Sequence, residues 1–213
     1  MKSLKQKISC LILVFLFSSI VCANFTYNFE CITNNSAYNA GCGVSTLGIN
    51  ISDAGNSQAV LTFLNSGSGN SGVIEEIFFE DISGLMSFSK FEAFEKGVKF
   101  VFNSKKMNLP GGDEPEVDFT ESYGFYASKP SPKNGLGLGE TLSIVFKCGD
   151  FEDIISGIEN GELRIGLHVI SFGDGGSESF VNKTPPAVPV PGAIALAFVG
   201  IAVVLRAKKR VLI

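Results

Sequence analysis

The chain holds one histidine in 213 residues, so any Ser-His-Asp or Cys-His arrangement would have to be built on His168. That residue lies in Leu163-Arg164-Ile165-Gly166-Leu167-His168-Val169, with no partner motif beside it. It reads as a strand histidine on the less apolar face. Two acidic pairs, Glu75-Glu76 and Glu80-Asp81, have the residue types for glycoside hydrolysis by paired carboxylates, or for calcium through oxygen ligands. The plainer reading makes Glu76 and Glu80 solvated positions around a buried Ile74, Ile77, Phe78 and Phe79. Gly173-Asp174-Gly175-Gly176-Ser177-Glu178-Ser179 combines tight-turn glycines with several oxygens. It lacks the D-x-D-x-D-G order of a calcium loop and precedes no helix, so it is expected to be a turn leading into Phe180-Val181. The expectation is a protein that is not an enzyme, with no catalytic residue, no metal site and no cofactor.

Thiol chemistry depends on compartment. Of the five cysteines, Cys10 and Cys22 fall in the first 23 residues, which leaves Cys31, Cys42 and Cys148. In an oxidising compartment Cys31 and Cys42 can close a disulfide over the Asn/Gly/Ser-rich segment 33–41. Cys148 is then the odd one, either buried as a small hydrophobe or itself the partner of Cys31 or Cys42. No C-x-x-C spacing favours zinc.

The elements that must position these residues are strands. Short runs rich in aromatic and β-branched residues occur at 25–29, 59–64, 74–79, 98–102, 124–127, 142–146 and 163–172, separated by turn residues. The last run alternates cleanly, with Leu163, Ile165, Leu167 and Val169 on one face. This pattern predicts an all-β fold, a β-sandwich of jelly-roll-like type. One short helix is expected over 151–159, where Phe151, Ile154, Ile155 and Ile158 recur at helical spacing, Asp150 stands at the N-cap and Gly161 follows the end. The segments 109–113 and 129–135 are expected to be loops.

Both ends differ from this body. Residues 1–23 carry Lys2, Lys5 and Lys7, then an apolar stretch over 8–21, then Val21-Cys22-Ala23. This is the layout of a secretory signal peptide, with cleavage expected after Ala23. A lipidated Cys22 and an uncleaved anchor helix are the alternatives. At the other end, Val188-Pro189-Val190-Pro191 precedes an uncharged apolar run at 192–205 and the cations Arg206, Lys208, Lys209 and Arg210. Proline fixes φ and disfavours helix in the residue before it, so the pair marks an extended hinge. The apolar run is expected to be a transmembrane helix whose basic end stays cytoplasmic. Its 14 residues would span about 21 Å against a hydrocarbon core of about 30 Å, a gap that snorkelling cations and local thinning can close. A buried C-terminal helix of a soluble domain and a GPI anchor are the competing readings of this tail. Its charged end argues against the second.

Charge separates body from ends. All 21 acidic residues lie between the two terminal segments, which hold seven of the 17 basic ones, so the body carries ten basic side chains and a formal charge of −11. Such a surface gives no footing for nucleic acid, whose binding relies on neutralising phosphates.

Taken together, the Val188-Pro189-Val190-Pro191 motif, the apolar run and the basic end resemble the PEP-CTERM sorting signal of Gram-negative bacteria. The family usually has V-P-E-P, and this chain has Val190 where the glutamate stands. The stretch Leu163-Arg164-Ile165-Gly166-Leu167-His168-Val169, with 172–182 after it, is also similar to the end of the ectodomain in one group of these proteins. The resemblance implies a substrate of exosortase, a membrane-embedded transpeptidase-like enzyme. It implies a protein held in the inner membrane with its body in the periplasm, then delivered to the cell surface or an exopolysaccharide matrix. The expected layout is a signal peptide (1–23), an ectodomain (24–184), a Pro-rich linker with the sorting motif (185–191), a transmembrane helix (192–205) and a basic tail (206–213).

Overall fold

The computed structural model describes residues 24–66, 72–105 and 107–183. The expected signal peptide with its cut after Ala23, the sorting motif from Val188 to Pro191, the apolar run and the basic cluster Arg206, Lys208, Lys209 and Arg210 lie outside the described residues. The chain divides into two units, Met1–Lys183 and Thr184–Ile213, and every described residue belongs to the first. No helix among the described residues is long and apolar enough to cross a membrane.

Ten antiparallel strands dominate the described chain: β1 (Asn24–Cys31), β2 (Leu47–Gly55), β3 (Gln58–Asn65), β4 (Val73–Asp81), β5 (Met86–Phe94), β6 (Phe100–Asn103), β7 (Tyr123–Ala127), β8 (Thr141–Cys148), β9 (Leu163–Ile170) and β10 (Ser177–Asn182). The all-β expectation holds, and each of the seven expected runs overlaps a strand, although 98–102 begins two residues before β6 and 163–172 ends two residues after β9. Period-two burial is the reason. In β3, Ala59, Leu61 and Phe63 are wholly buried while their neighbours are partly exposed, and β9 buries Leu163, Ile165, Leu167 and Val169 in the same way. Fully burying one such side chain contributes about 1.5–3 kcal/mol.

The strands form one sheet in the order β5-β8-β3-β2-β1-β10-β9-β4-β7-β6. Its pivot is β1, which pairs with β2 from Asn24 to Asn28 and with β10 from Phe29 to Cys31. The first and last strands are therefore neighbours at the centre, and the sheet curls until its edges, β5 and β6, approach each other. That seam is closed by rings and not by a hydrogen-bond ladder. Phe88 of β5 stacks on Phe102 of β6 at 4.7 Å between centroids, and Phe125 of β7 lies within 5.3 Å of both. These aromatics join Phe79 and Phe146 in a core that fills the interior. Two phenols share it: the hydroxyls of Tyr27 and Tyr123 are buried without a hydrogen-bond partner. Burial, followed by the Glu159 carboxylate, pushes Tyr27 up to about 12, and burial followed by Asp81 raises Tyr123 above the ordinary phenol range.

The expected helix is present as Phe151–Asn160, with the Asp150 carboxylate accepting from the Glu152 N–H and Gly161 left-handed at φ +77°. It is not the only helix. Helices also form at Ala37–Thr46 (here α1), where no element was expected, and at Ser131–Asn134 (α2), inside the expected loop 129–135, which makes Phe151–Asn160 α3. The helix α1 forms despite two glycines because tertiary contacts override its weak propensity. Ser36 caps it by accepting from the Asn39 N–H, and Gly43 lets it rest directly on the Phe180 ring of β10, where any Cβ would collide.

The segment 107–119, a flap, covers part of the sheet's outer face. Leu109 and Phe119 pack on Phe78 of β4 and Val181 of β10, in a second apolar cluster outside the main core. Gly166 of β9 and Gly124 of β7 leave the room this flap needs: a Cβ on Gly166 would stand 2.7 Å from Leu109 Cδ2, and one on Gly124 2.8 Å from Met107 Sδ.

Candidate functional site

The one histidine gains its partners from a β-bulge. Between β4 and β9 the register runs Val73 with Ile170 and Ile74 with Val169, then Glu76 with His168, so Glu75 is an extra residue on β4. Consecutive strand residues normally face opposite sides of a sheet, and a bulge re-aims one of them. Here both carboxylates reach one imidazole nitrogen: His168 Nδ1 lies 3.4 Å from Glu76 Oε2 and 3.7 Å from Glu75 Oε2.

The row extends across five strands. His168 is paired on its other side with Ser179 of β10, while Glu76 is paired with Tyr126 of β7 and Tyr126 with Val101 of β6. Directly opposed residues place their side chains on the same face, about 4.5–5.5 Å apart at Cβ. Accessibility rises along this row. Ser179 is fully buried, the His168 side chain is 16% exposed and those of Glu75 and Glu76 are 24% and 30% exposed. Tyr126 and Val101 are 38% and 41% exposed. Two polar atoms on the row, His168 Nδ1 and Ser179 Oγ, are buried and make no hydrogen bond. Most buried polar atoms in native proteins are satisfied, so two orphans side by side mark this face out. A buried hydroxyl has no path to a substrate carbonyl, so the row is not arranged for nucleophilic attack by Ser179. It is arranged to present acceptors beside an exposed ring.

The second acidic pair has a structural task, which corrects the expectation that Glu80 is solvated. Glu80 is buried, pairs with the Arg164 guanidinium and accepts from the Thr120 N–H at 2.8 Å. Arg164 also donates to the carbonyls of Val117 and Asp118 and lies 5.2 Å from the centroid of the Phe119 ring, so the ion pair fastens the flap. Asp81 accepts from the N–H groups of Leu85 and Met86 and fixes the turn into β5.

The glycine-rich segment behaves as the expected turn: Gly175 and Gly176 are both left-handed, and β10 follows with Phe180 and Val181. Its Glu178 turns inward. The carboxylate is buried and accepts from Thr33 Oγ1 at 2.6 Å and from the N–H groups of Asn35 at 2.8 Å and Ser36 at 2.6 Å. It thereby satisfies donors just ahead of α1. Cys31, closing β1, and Cys42, within α1, are free thiols packed against the core, as is Cys148. Burial raises the Cys31 thiol, the Asn34 N–H opposes this and the Glu178 carboxylate adds to it. Burial also raises Cys148, helped by Asp53, Asp150 and Asp153. No group of three or more His, Cys, Asp or Glu side chains among the described residues is placed to hold a metal ion.

Sequence reasoning singled out His168 and the Glu75-Glu76 pair apart from each other and had no means of joining them to one another, to Tyr126 or to Ser179. The available signal was the doublet Glu75-Glu76 inside an apolar strand, since two adjacent carboxylates break strict alternation. No protein-family model matches the chain, and no curated protein or solved structure matches it.

Proposed function

We propose that this chain is an exported, membrane-anchored surface or extracellular-matrix protein, sorted and processed at a C-terminal signal of the PEP-CTERM type. The observation that carries the reading is the order along the chain: a signal-peptide-like segment, an acidic all-β body, Val188-Pro189-Val190-Pro191, an apolar run and a basic end. Export begins with residues 1–23 and a cut after Ala23; the run at 192–205 stops transfer, and Arg206, Lys208, Lys209 and Arg210 hold the tail inside. Pro189 and Pro191 then present an extended backbone to an exosortase-like transpeptidase. The body resides in the periplasm before delivery to the cell surface or an exopolysaccharide matrix, which is its further partner. It has no catalytic role. The pairing of the sheet supports this scheme. Asn24 is already paired with Ser52, and the last ladder contact of β10 is Asn182 with Phe29, so removing both ends leaves the sheet whole. In this reading the run β5-β8-β3-β2-β1 and the run β1-β10-β9-β4-β7-β6 are the two layers of a jelly-roll-like sandwich.

Mass spectrometry of the mature protein from its native host tests the scheme, because it reads both cut sites and any attached group. Replacing Pro189 and Pro191 with alanine leaves export intact and blocks maturation; unchanged tail removal in that variant refutes the hinge.

A second reading is favoured by the exposed Tyr126 beside Glu76. The body is then a carbohydrate-binding or adhesin-like module on a permanent anchor. A mature protein that retains its tail and binds glycans supports this reading over the first.

A further inference from the structure

We propose that Cys31 and Cys42 form a redox couple that latches α1: as thiols they leave the helix to the Glu178 carboxylate, and oxidised to a disulfide they staple it to β1. The oxidant is a disulfide carried by a thiol oxidoreductase of the exporting compartment, so the inference rests on the export reading above and adds to it a covalent maturation step. Cys148, the rival partner, is excluded by the register of the sheet. Asn24 of β1, Ser52 of β2, Val60 of β3 and Val145 of β8 lie in one row across four strands. Cys31 stands seven residues from that row in one direction and Cys148 three residues from it in the other. At about 3.3 Å per residue the two are roughly 33 Å apart along the strands, whereas a disulfide needs Cα atoms within about 7 Å.

Cys42 lies at the Cys31 end. Cys31 is paired with Phe180 in the β1–β10 ladder, and Gly43, the neighbour of Cys42, rests on the Phe180 ring. The Cys31 thiol donates to Glu178 Oε2 at 3.7 Å, and Glu178 Oε1 accepts from the N–H of Ser36, the N-cap of α1. One ring and one carboxylate thus connect the two cysteines, and both thiols are partly exposed, within reach of an oxidant. Oxidation takes the S–H donor from Glu178, which keeps Thr33, Asn35 and Ser36 and surrenders the longest of these contacts. The element that yields as the bond closes is α1, since remote contacts hold it against a weak propensity and Cys42 stands between Gly41 and Gly43. In the step itself one S–S bond forms between Cys31 and Cys42 as the oxidant's S–S bond breaks. The two protons and two electrons of the thiols pass to the oxidant, whose disulfide becomes two thiols.

The test equilibrates the mature protein in mixtures of reduced and oxidised glutathione, quenches with a thiol-blocking reagent and maps the disulfides by mass spectrometry. The expected product is a Cys31–Cys42 bond with Cys148 outside it. Hydrogen exchange across Ala37–Thr46 is then at least ~10-fold slower in the oxidised protein than in the reduced one, while the β9–β10 ladder exchanges equally in both. Glu178→Gln accelerates exchange of α1 in the reduced protein alone. A bond to Cys148, or glutathione attached to Cys31 and Cys42 with no bond between them, overturns the pairing. A Cys31–Cys42 bond that leaves the exchange of α1 unchanged overturns the latch. Pairing in buffer, with free thiols in protein taken from its native host, overturns the export reading and leaves the couple standing. The comparison of the two redox forms uses the unaltered protein, so it holds whether or not the variant folds.

Discussion

The Arg164 guanidinium of β9 binds the Glu80 carboxylate of β4 and, through its remaining nitrogens, the carbonyls of Val117 and Asp118 in the flap. One side chain thus joins a sheet ladder to the segment that covers it. Removing one member of a buried pair strands the other, at a cost of about 3–5 kcal/mol. Arg164 is itself partly exposed, so the lower end applies, and Arg164→Leu is expected to cost about 3 kcal/mol in urea unfolding. Hydrogen exchange should rise first at the amides of Leu109, Phe119 and Thr120. A variant that loses stability while keeping those amides protected contradicts the fastening role.

Gly124 and Gly166 both sit under the flap, yet their replacement is not equivalent. A Cβ on Gly124 meets the Ile77 carbonyl oxygen at 2.6 Å, which is sheet backbone, whereas a Cβ on Gly166 meets the ends of the Leu109 and Phe119 side chains. Side-chain ends yield and a ladder does not. Overpacking costs about 1–3 kcal/mol, so Gly124→Ala is expected near the upper figure and Gly166→Ala near the lower. Thermal unfolding of the two variants should rank them in that order, and the reverse ranking would show that the flap is stiffer than the sheet.

Alkaline pH should unfold this protein through its buried phenols. Tyr27 is raised to about 12, and Tyr123 is raised as well, so the native state favours both in the neutral form. Their contribution is intact below the unfolded value of about 10 and is lost as pH climbs through the folded values, most of it between about pH 10 and 12 for Tyr27. Tyr123→Phe removes a hydroxyl that has no hydrogen-bond partner. It is expected to stabilise the protein by up to ~1 kcal/mol at neutral pH and to move the alkaline midpoint upward. An unmoved midpoint in both Tyr123→Phe and Tyr27→Phe would place the alkaline transition elsewhere.

How far the sequence reaches is clearest in β5 and β9. The strand β9 alternates strictly and is legible from its residues alone. In β5, Phe88 and Phe91 are three positions apart, a spacing foreign to a regular strand, because the pairing with β8 shifts between Phe88 and Lys90 and again between Phe91 and Ala93. Bulges therefore hide a strand from period-two reading, and they also move its aromatics onto the seam. In β2 the alternation of Leu47, Ile49 and Ile51 is present, but its other face is Gly48, Asn50 and Ser52, which locally reads as turn. The helix α3 carries its own caps and was legible; α1 was not, since what holds it lies about 140 residues away in Glu178 and Phe180. The candidate site is of that second kind. Ser179, His168, Glu76 and Tyr126 meet through β10-β9-β4-β7, an order fixed by the whole sheet and by no local pattern.

Glu178 supplies the most selective probe of that long-range organisation. Its carboxylate accepts from Thr33, Asn35 and Ser36, so it ties the end of β1 and the start of α1 to the last strand. A neutral amide of the same shape keeps one acceptor oxygen and replaces the other with a donor facing existing donors. Hydrogen bonds to a charged acceptor contribute about 1.5–3 kcal/mol, and a clash of donors forfeits at least one of them. Glu178→Gln is therefore expected to cost about 2 kcal/mol and to act locally, raising hydrogen exchange across Ala37–Thr46 before the β9–β10 ladder opens. The thiols report the same event: as α1 loosens, Cys42 should react faster with a soluble thiol reagent while Cys148, on β8, keeps its rate. Equal acceleration at both cysteines would mean that the substitution unfolds the sheet as a whole, and that Glu178 is a core residue and not the latch of α1.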